Sequence, residues 1–160
     1  MAIKINTEKR IFTLETKHTM YQMQADTYGV LRHLWYGAKT GCDMSYLQDY
    51  PDVGFSGNPH DAGNDRTYSL DTLPLEYAGA GIGDFRVPAV EAVHADGSCA
   101  LDLRYYSHTV KQGKYAIAGL PALYAGEDEA ETLEVVLRDT ASAVEVTLKY
   151  GVLPELDIVT

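Results

Sequence analysis

The chain has 160 residues, 46% hydrophobic and 22% charged, which is the composition of one globular domain and excludes a disordered tract, a collagen or a coiled coil. Its formal net charge of −10 and pI near 4.8 set it against phosphate backbones, so no nucleic-acid partner is expected. No long apolar run offers a membrane span, and the start Met1-Ala2-Ile3-Lys4 lacks the apolar core of a secretory signal.

Taken in chain order, the periodicity is mostly two. Tyr21, Met23 and Ala25 alternate with Gln22 and Gln24. Val30 to Tyr36 is apolar on both faces, as a central strand is. From Gly37 to Gly83 the pattern stops, and Gly, Pro, Asp and Asn dominate. So long an irregular stretch inside a compact domain usually carries function. Its aromatics (Tyr46, Tyr50, Phe55, Tyr68 and Tyr77) give it something to anchor with.

Alternation resumes after Ala95-Asp96-Gly97-Ser98, a hairpin signal. Ser98 to Tyr106 puts Cys99, Leu101, Leu103 and Tyr105 on one face. Lys111-Gln112-Gly113-Lys114 is a second turn, and Glu127 to Glu131 reads as a solvated acidic loop. Leu133, Val135 and Leu137 form one face of a strand. Asp139-Thr140-Ala141-Ser142 joins it to another, with Val144, Val146, Leu148 and Tyr150 on one side. Leu153 to Thr160 reads as a final strand, and a chain that stops inside a strand reads as a fragment of a longer polypeptide.

Side chains on a strand point to alternate faces, so each of these segments has one apolar side to bury. No window offers a long capped helix. The expected fold is all-β: an antiparallel β-sandwich, with the long irregular excursion set on it.

Few residues are arranged for chemistry. Cys42 and Cys99 are too few and too far apart for a disulfide framework or zinc pattern, and read as reduced thiols. The histidines His18, His33, His60, His94 and His108 are scattered, so no metal is expected. Ser56 fails the spacing of a nucleophile elbow. Gly79 to Gly83 lacks the helix that a phosphate cradle needs. Carboxylates remain: Asp49, Asp52, Asp61, Asp65 and Asp71 all lie in the excursion. Loop aspartates commonly turn the backbone. Asp52 stands apart, since Pro51 precedes it and Gly54-Phe55 follows it. That setting could offer a carboxylate to two vicinal sugar hydroxyls beside an aromatic ring.

A series of segments runs in a definite order. It begins with Leu34-Trp35-Tyr36-Gly37, Asp52-Val53-Gly54-Phe55-Ser56-Gly57-Asn58-Pro59, and Asp65-Arg66-Thr67-Tyr68-Ser69 through Pro74-Leu75-Glu76-Tyr77. Gly83-Asp84-Phe85-Arg86-Val87-Pro88, Asp102-Leu103-Arg104-Tyr105-Tyr106-Ser107-His108 and Gly119-Leu120-Pro121 follow, and Tyr150-Gly151-Val152-Leu153-Pro154-Glu155 closes it. This series resembles the N-terminal domain of glycoside hydrolase family 36, the bacterial α-galactosidases, from about Ile11 onward.

The resemblance implies a large, supersandwich-like β-sandwich placed before a (β/α)₈ barrel. The barrel holds both catalytic carboxylates of a retaining mechanism. Residues 1–160 are then a single N-terminal sandwich domain or part of one, without the barrel and without catalytic residues of their own. The implied role is one wall of the sugar pocket together with oligomer contacts. The partners are an α-galactoside, the protein's own barrel and further copies of the enzyme, with no cofactor. The two cysteines, read as reduced thiols, make a cytoplasmic location the expectation. Asp52 matches the Asp of the family's Asp-Arg-Ala-Phe-Ser-type motif, which reaches galactose hydroxyls, although Val53 and Gly54 follow it here. Arg66 matches the family's Asp-Arg-Thr/Ser segment and is the second substrate-binding candidate. Gly37 and Pro88 match as structural punctuation. The alternatives are a free-standing carbohydrate-binding sandwich and a purely structural β-domain.

Overall fold

The computed structural model describes residues 1–48 and 58–160. Among these, eight strands form two four-stranded antiparallel sheets, and no α-helix is present. The first sheet takes β1 (Ile3–Asn6), β2 (Ile11–Glu15), β3 (Thr19–Ala25) and β4 (Leu31–Ala38) in sequence order. The second takes β5 (Arg104–Gln112), β6 (Glu131–Arg138), β7 (Glu145–Leu153) and β8 (Ile158–Val159), again in order. Among the described residues, no helix is long and apolar enough to cross a membrane.

One apolar face from each sheet makes the core. Phe12, Leu14 and Met23 of the first sheet pack with Leu133, Val135, Leu137 and Val152 of the second. The outward residues of the second sheet are paired across strands. Glu134 lies 2.6 Å from Lys111 on β5 and 3.3 Å from Lys149 on β7, so three strands share one charge cluster. This alternation is the sandwich that the period-two segments called for.

β3, β6 and β7 fall where the alternation puts them. Other boundaries differ. β1 and β2 precede Tyr21, in a stretch without a clear strand signal in the sequence. β4 is an edge of its sheet, not a central strand, although its far side is partly covered: His33 N donates to Pro74 O at 2.8 Å and Glu76 N donates to Leu31 O at 3.0 Å. Leu34 is an extra residue opposite the Gln22–Met23 step. The bulge turns Leu34 into a second cluster with Ile11, Met20 and Met44.

The strand expected from Ser98 begins at Arg104. Leu101 and Leu103 are buried in the main core as the alternation requires, but their backbone runs outside the sheet, ahead of β5. Leu101 N donates to Ala80 O of the excursion, and Asp102 N to the Asp139 carboxylate. Asp96-Gly97 does make a tight turn, with His94 N on Ser98 O, but no strands flank it. The final run divides into a short 3₁₀ turn (Pro154–Leu156), a left-handed Asp157 and β8. Within the acidic loop, Glu131 is a buried strand residue whose Oε2 accepts the Ala2 and Ile3 amides at 2.9 Å.

The excursion is longer than expected, since no strand occurs among its described residues from 39 to 103. It is ordered by a small core of its own: Val30, Ala62, Tyr68, Leu70 and Leu73.

Candidate functional site

The excursion carries the candidate residues. Asp49, Asp52 and Ser56 lie outside the described residues. The described positions on either side of Asp52 are both tied down. Gln48 Nε2 donates to His33 O of β4 at 3.0 Å. Asn58 Nδ2 donates to Asp65 O, which closes a loop around the 3₁₀ turn His60–Ala62.

The remaining aspartates of the excursion shape backbone. Asp65 Oδ1 accepts Thr67 N at 3.0 Å and Thr67 Oγ1 at 2.6 Å. Those two bonds hold its carboxyl below the usual range. Asp71 accepts the Ser69 hydroxyl, and Asp61 lies 3.9 Å from the Arg104 guanidinium. Arg66 is exposed, directly between the Asp65 turn and buried Tyr68. Gly79 to Gly83 is a turn with no helix after it, and Gly81 and Gly83 both have positive φ. Cys42 and Cys99 are free and exposed. The described residues hold no cluster of three metal-ligating side chains.

Two buried carboxylates fix the excursion to the sandwich. Neither was singled out by the sequence. The first is Asp26, at the end of β3. Its Oδ1 accepts the Tyr28 and Val30 amides at 2.9 Å, and its Oδ2 accepts the Tyr68 hydroxyl at 2.5 Å. Arg32 Nε lies 3.5 Å from the same carboxylate, and the Tyr28 ring meets the Tyr68 ring edge-on at 4.7 Å. Arg104 reaches Tyr28 O from the second sheet at 3.1 Å.

The second is Glu76, whose side chain is 7% exposed. Its Oε1 accepts Tyr21 of β3 at 2.5 Å and Tyr150 of β7 at 2.8 Å, while Oε2 faces His33 Nδ1 of β4 at 3.4 Å. Burial opposes its charge. The His33, Tyr21 and Tyr150 bonds outweigh that, so its pKa lies below the ordinary glutamate value. The same burial, with Glu76 beside them, pushes both tyrosine hydroxyls far up. Glu76 sits beside an open groove of about 680 Å³ formed by Tyr77, Tyr115 and the inner side of β7. Its carboxylate is engaged within the fold, so its chemistry is that of a tie. The only sequence signal for such a tie is one acidic residue inside the apolar run Pro74-Leu75-Glu76-Tyr77.

The profile of the glycosyl hydrolase family 36 N-terminal domain matches residues 29–160. The chain belongs to that family. It is 53% identical over its whole length to the bifunctional α-galactosidase/sucrose kinase AgaSK of Mediterraneibacter gnavus, of which it covers 17%. It is 40% identical over its whole length to α-galactosidase AgaA of Geobacillus stearothermophilus, covering 22% of that protein. The solved galactosidase domain of AgaSK superimposes with a TM-score of 0.95 at 52% identity, over 99% of this chain and 22% of that one. The family 36 α-galactosidase AgaB of Geobacillus stearothermophilus gives 0.86 at 41% identity, over 97% of this chain and 21% of that one. The chain thus spans about a fifth of the relatives it matches, at their N-terminal part, and those relatives are α-galactosidases.

Proposed function

We propose that this family 36 N-terminal domain serves an enzyme that hydrolyses terminal α-galactosyl residues with retention of configuration. One observation carries the reading: the match over the whole of this chain, in sequence and in fold, to the N-terminal part of proteins named as α-galactosidases. Residues 1–160 make a non-catalytic sandwich domain. A (β/α)₈ barrel elsewhere in the polypeptide supplies the nucleophile and the acid/base, held ~5–5.5 Å apart as retaining chemistry demands. This domain contributes one wall of the sugar pocket and contacts between copies of the enzyme in the cytoplasm. No cofactor takes part.

The residues assigned to the sugar are Asp52 and Arg66. A carboxylate can accept bonds from two neighbouring hydroxyls, and a guanidinium can donate to a hydroxyl oxygen in a planar fork. The support for Arg66 is its exposed place on the excursion, two residues before the buried Tyr68. The support for Asp52 is its motif context, including Asn58, whose side chain closes onto Asp65.

Assay of the full-length protein and of residues 1–160 alone, on chromogenic α- and β-galactosides, tests the reading. The full-length protein should cleave only the α-anomer, and the isolated chain should cleave neither. Hydrolysis by the isolated chain, abolished by replacing one of its aspartates, would refute the non-catalytic assignment.

A further inference from the structure

β7 is covered on one side only. Its apolar residues Val146, Leu148 and Tyr150 stand directly opposite Leu137, Val135 and Leu133 of β6. The β6 side chains are fully buried, yet their β7 neighbours are half-exposed. Those neighbours face the open groove of about 680 Å³ beside Glu76, which Tyr115 to Ala118 also line. The backbone edge of β7 is bare as well. β8 pairs with Val152 and Leu153, and Thr160 with Gly151. Among the described residues no strand meets the outer edge from Glu145 to Tyr150. An open edge beside an uncovered apolar face is where a further strand adds to a sheet.

The loop between β5 and β6 borders the same place. Residues 116–124 are all exposed and include no charged side chain, in a chain that is 22% charged. Leu120 is 62% exposed and Tyr124 90%. An exposed apolar stretch of this kind marks a contact surface. Ile117, Leu120 and Leu123 line a second groove, of about 300 Å³, together with Thr160. Thr160 N donates to Gly151 O at 2.9 Å, and Gly151 N donates to Thr160 O at 3.0 Å. The ladder with β7 is therefore still in register at residue 160, and it points along the bare edge. The relatives extend well beyond this part, since the chain spans about a fifth of them, at their N-terminal part.

We propose that the polypeptide following Thr160 continues as an antiparallel strand along the open edge of β7 and packs its apolar side chains under the loop 116–124. This rests on the reading of residues 1–160 as the first part of a longer enzyme. The added strand pairs the free N–H and C=O groups of β7, covers Val146 and Leu148, and closes the groove beside Glu76.

Hydrogen exchange of the full-length enzyme, resolved to single amides, tests this. It is run on a preparation that cleaves an α-galactoside, so a failure here leaves the proposed function standing. Bonds to the two sides alternate along a strand, so the Lys149 and Thr147 N–H groups point the same way as Gly151 N, to the bare edge. Both should exchange about a hundredfold or more slower than in an unstructured peptide. Leu120→Asp should lower the melting temperature by several degrees and Leu120→Ala by less, as for a side chain that is covered in the whole protein. Fast exchange at Lys149 and Thr147, or a melting temperature that neither change at Leu120 moves, would overturn the proposal. Protection that disappears on dilution to the monomer would give the surface to a second copy of the enzyme and overturn it as well.

Discussion

Tyr150 and Glu76 stand 74 residues apart in sequence and 2.8 Å apart in space. The same carboxylate oxygen accepts Tyr21 from the opposite sheet. One side chain of the excursion therefore holds β3 and β7 together, and the excursion to both. The surrounding rings support it: Tyr21 meets His33 at 4.9 Å, Tyr36 at 5.8 Å and Tyr150 at 6.1 Å. Buried carboxylates are costly unless their oxygens are satisfied, and here both are faced by donors.

Glu76→Ala should cost about 3–5 kcal/mol of stability, since it leaves two buried hydroxyls without an acceptor and opens a cavity. Glu76→Gln keeps the shape and one oxygen, and should cost about 1–2 kcal/mol. Urea denaturation of the full-length protein checks the order of the two. Equal losses would mean that the charge alone matters at this position and the bulk of the side chain does not.

Glu76 also links stability to pH. Its folded pKa lies below the ordinary glutamate value, so the charged form is favoured by folding. The stabilisation is fully present above that value and is lost as pH falls through the lower folded pKa. The parent protein should lose stability on acidification from about pH 5 to pH 3 more steeply than Glu76→Gln does. Parallel pH profiles for the two proteins would show that Glu76 is not a source of acid lability.

Two glycines offer a contrast. A Cβ on Gly79 would sit 2.0 Å from Leu101 O, so Gly79→Ala must push apart the excursion and the residues leading into β5. At Gly97 the φ of +84° is strained for alanine but nothing lies within 4 Å. Gly97→Ala should cost about 1–2 kcal/mol from the backbone alone, and Gly79→Ala several kcal/mol or the fold itself. Melting temperatures of the two variants test the ranking.

The sheets were legible where one face alternates cleanly. Leu133, Val135 and Leu137 show it, because each is buried while Glu134 and Arg138 pair outward. Leu101 and Leu103 show the limit. Their alternation reports burial, but pairing with Ala80 rather than with a strand cannot be read from a periodicity. The extra residues Leu34 and Tyr106 break the register in the same way. The ties on Asp26 and Glu76 left no local pattern, since their partners lie 42, 55 and 74 residues away. The family was legible because its short motifs hold their order along the whole chain, and residues 29–160 match its profile.

Asp52 is the residue through which this domain most directly meets the sugar in the function proposed above. In the full-length enzyme, kcat/KM for an α-galactoside and the melting temperature should be measured on one preparation of Asp52→Asn. The exchange keeps the size, removes the charge and turns one acceptor into a donor. Loss of a charged hydrogen bond, ~1.5–3 kcal/mol, predicts a fall in kcat/KM of roughly tenfold to more than a hundredfold, with the melting temperature unchanged. An unchanged kcat/KM with a lowered melting temperature would make Asp52 a turn residue and would remove this domain's carboxylate from the sugar pocket.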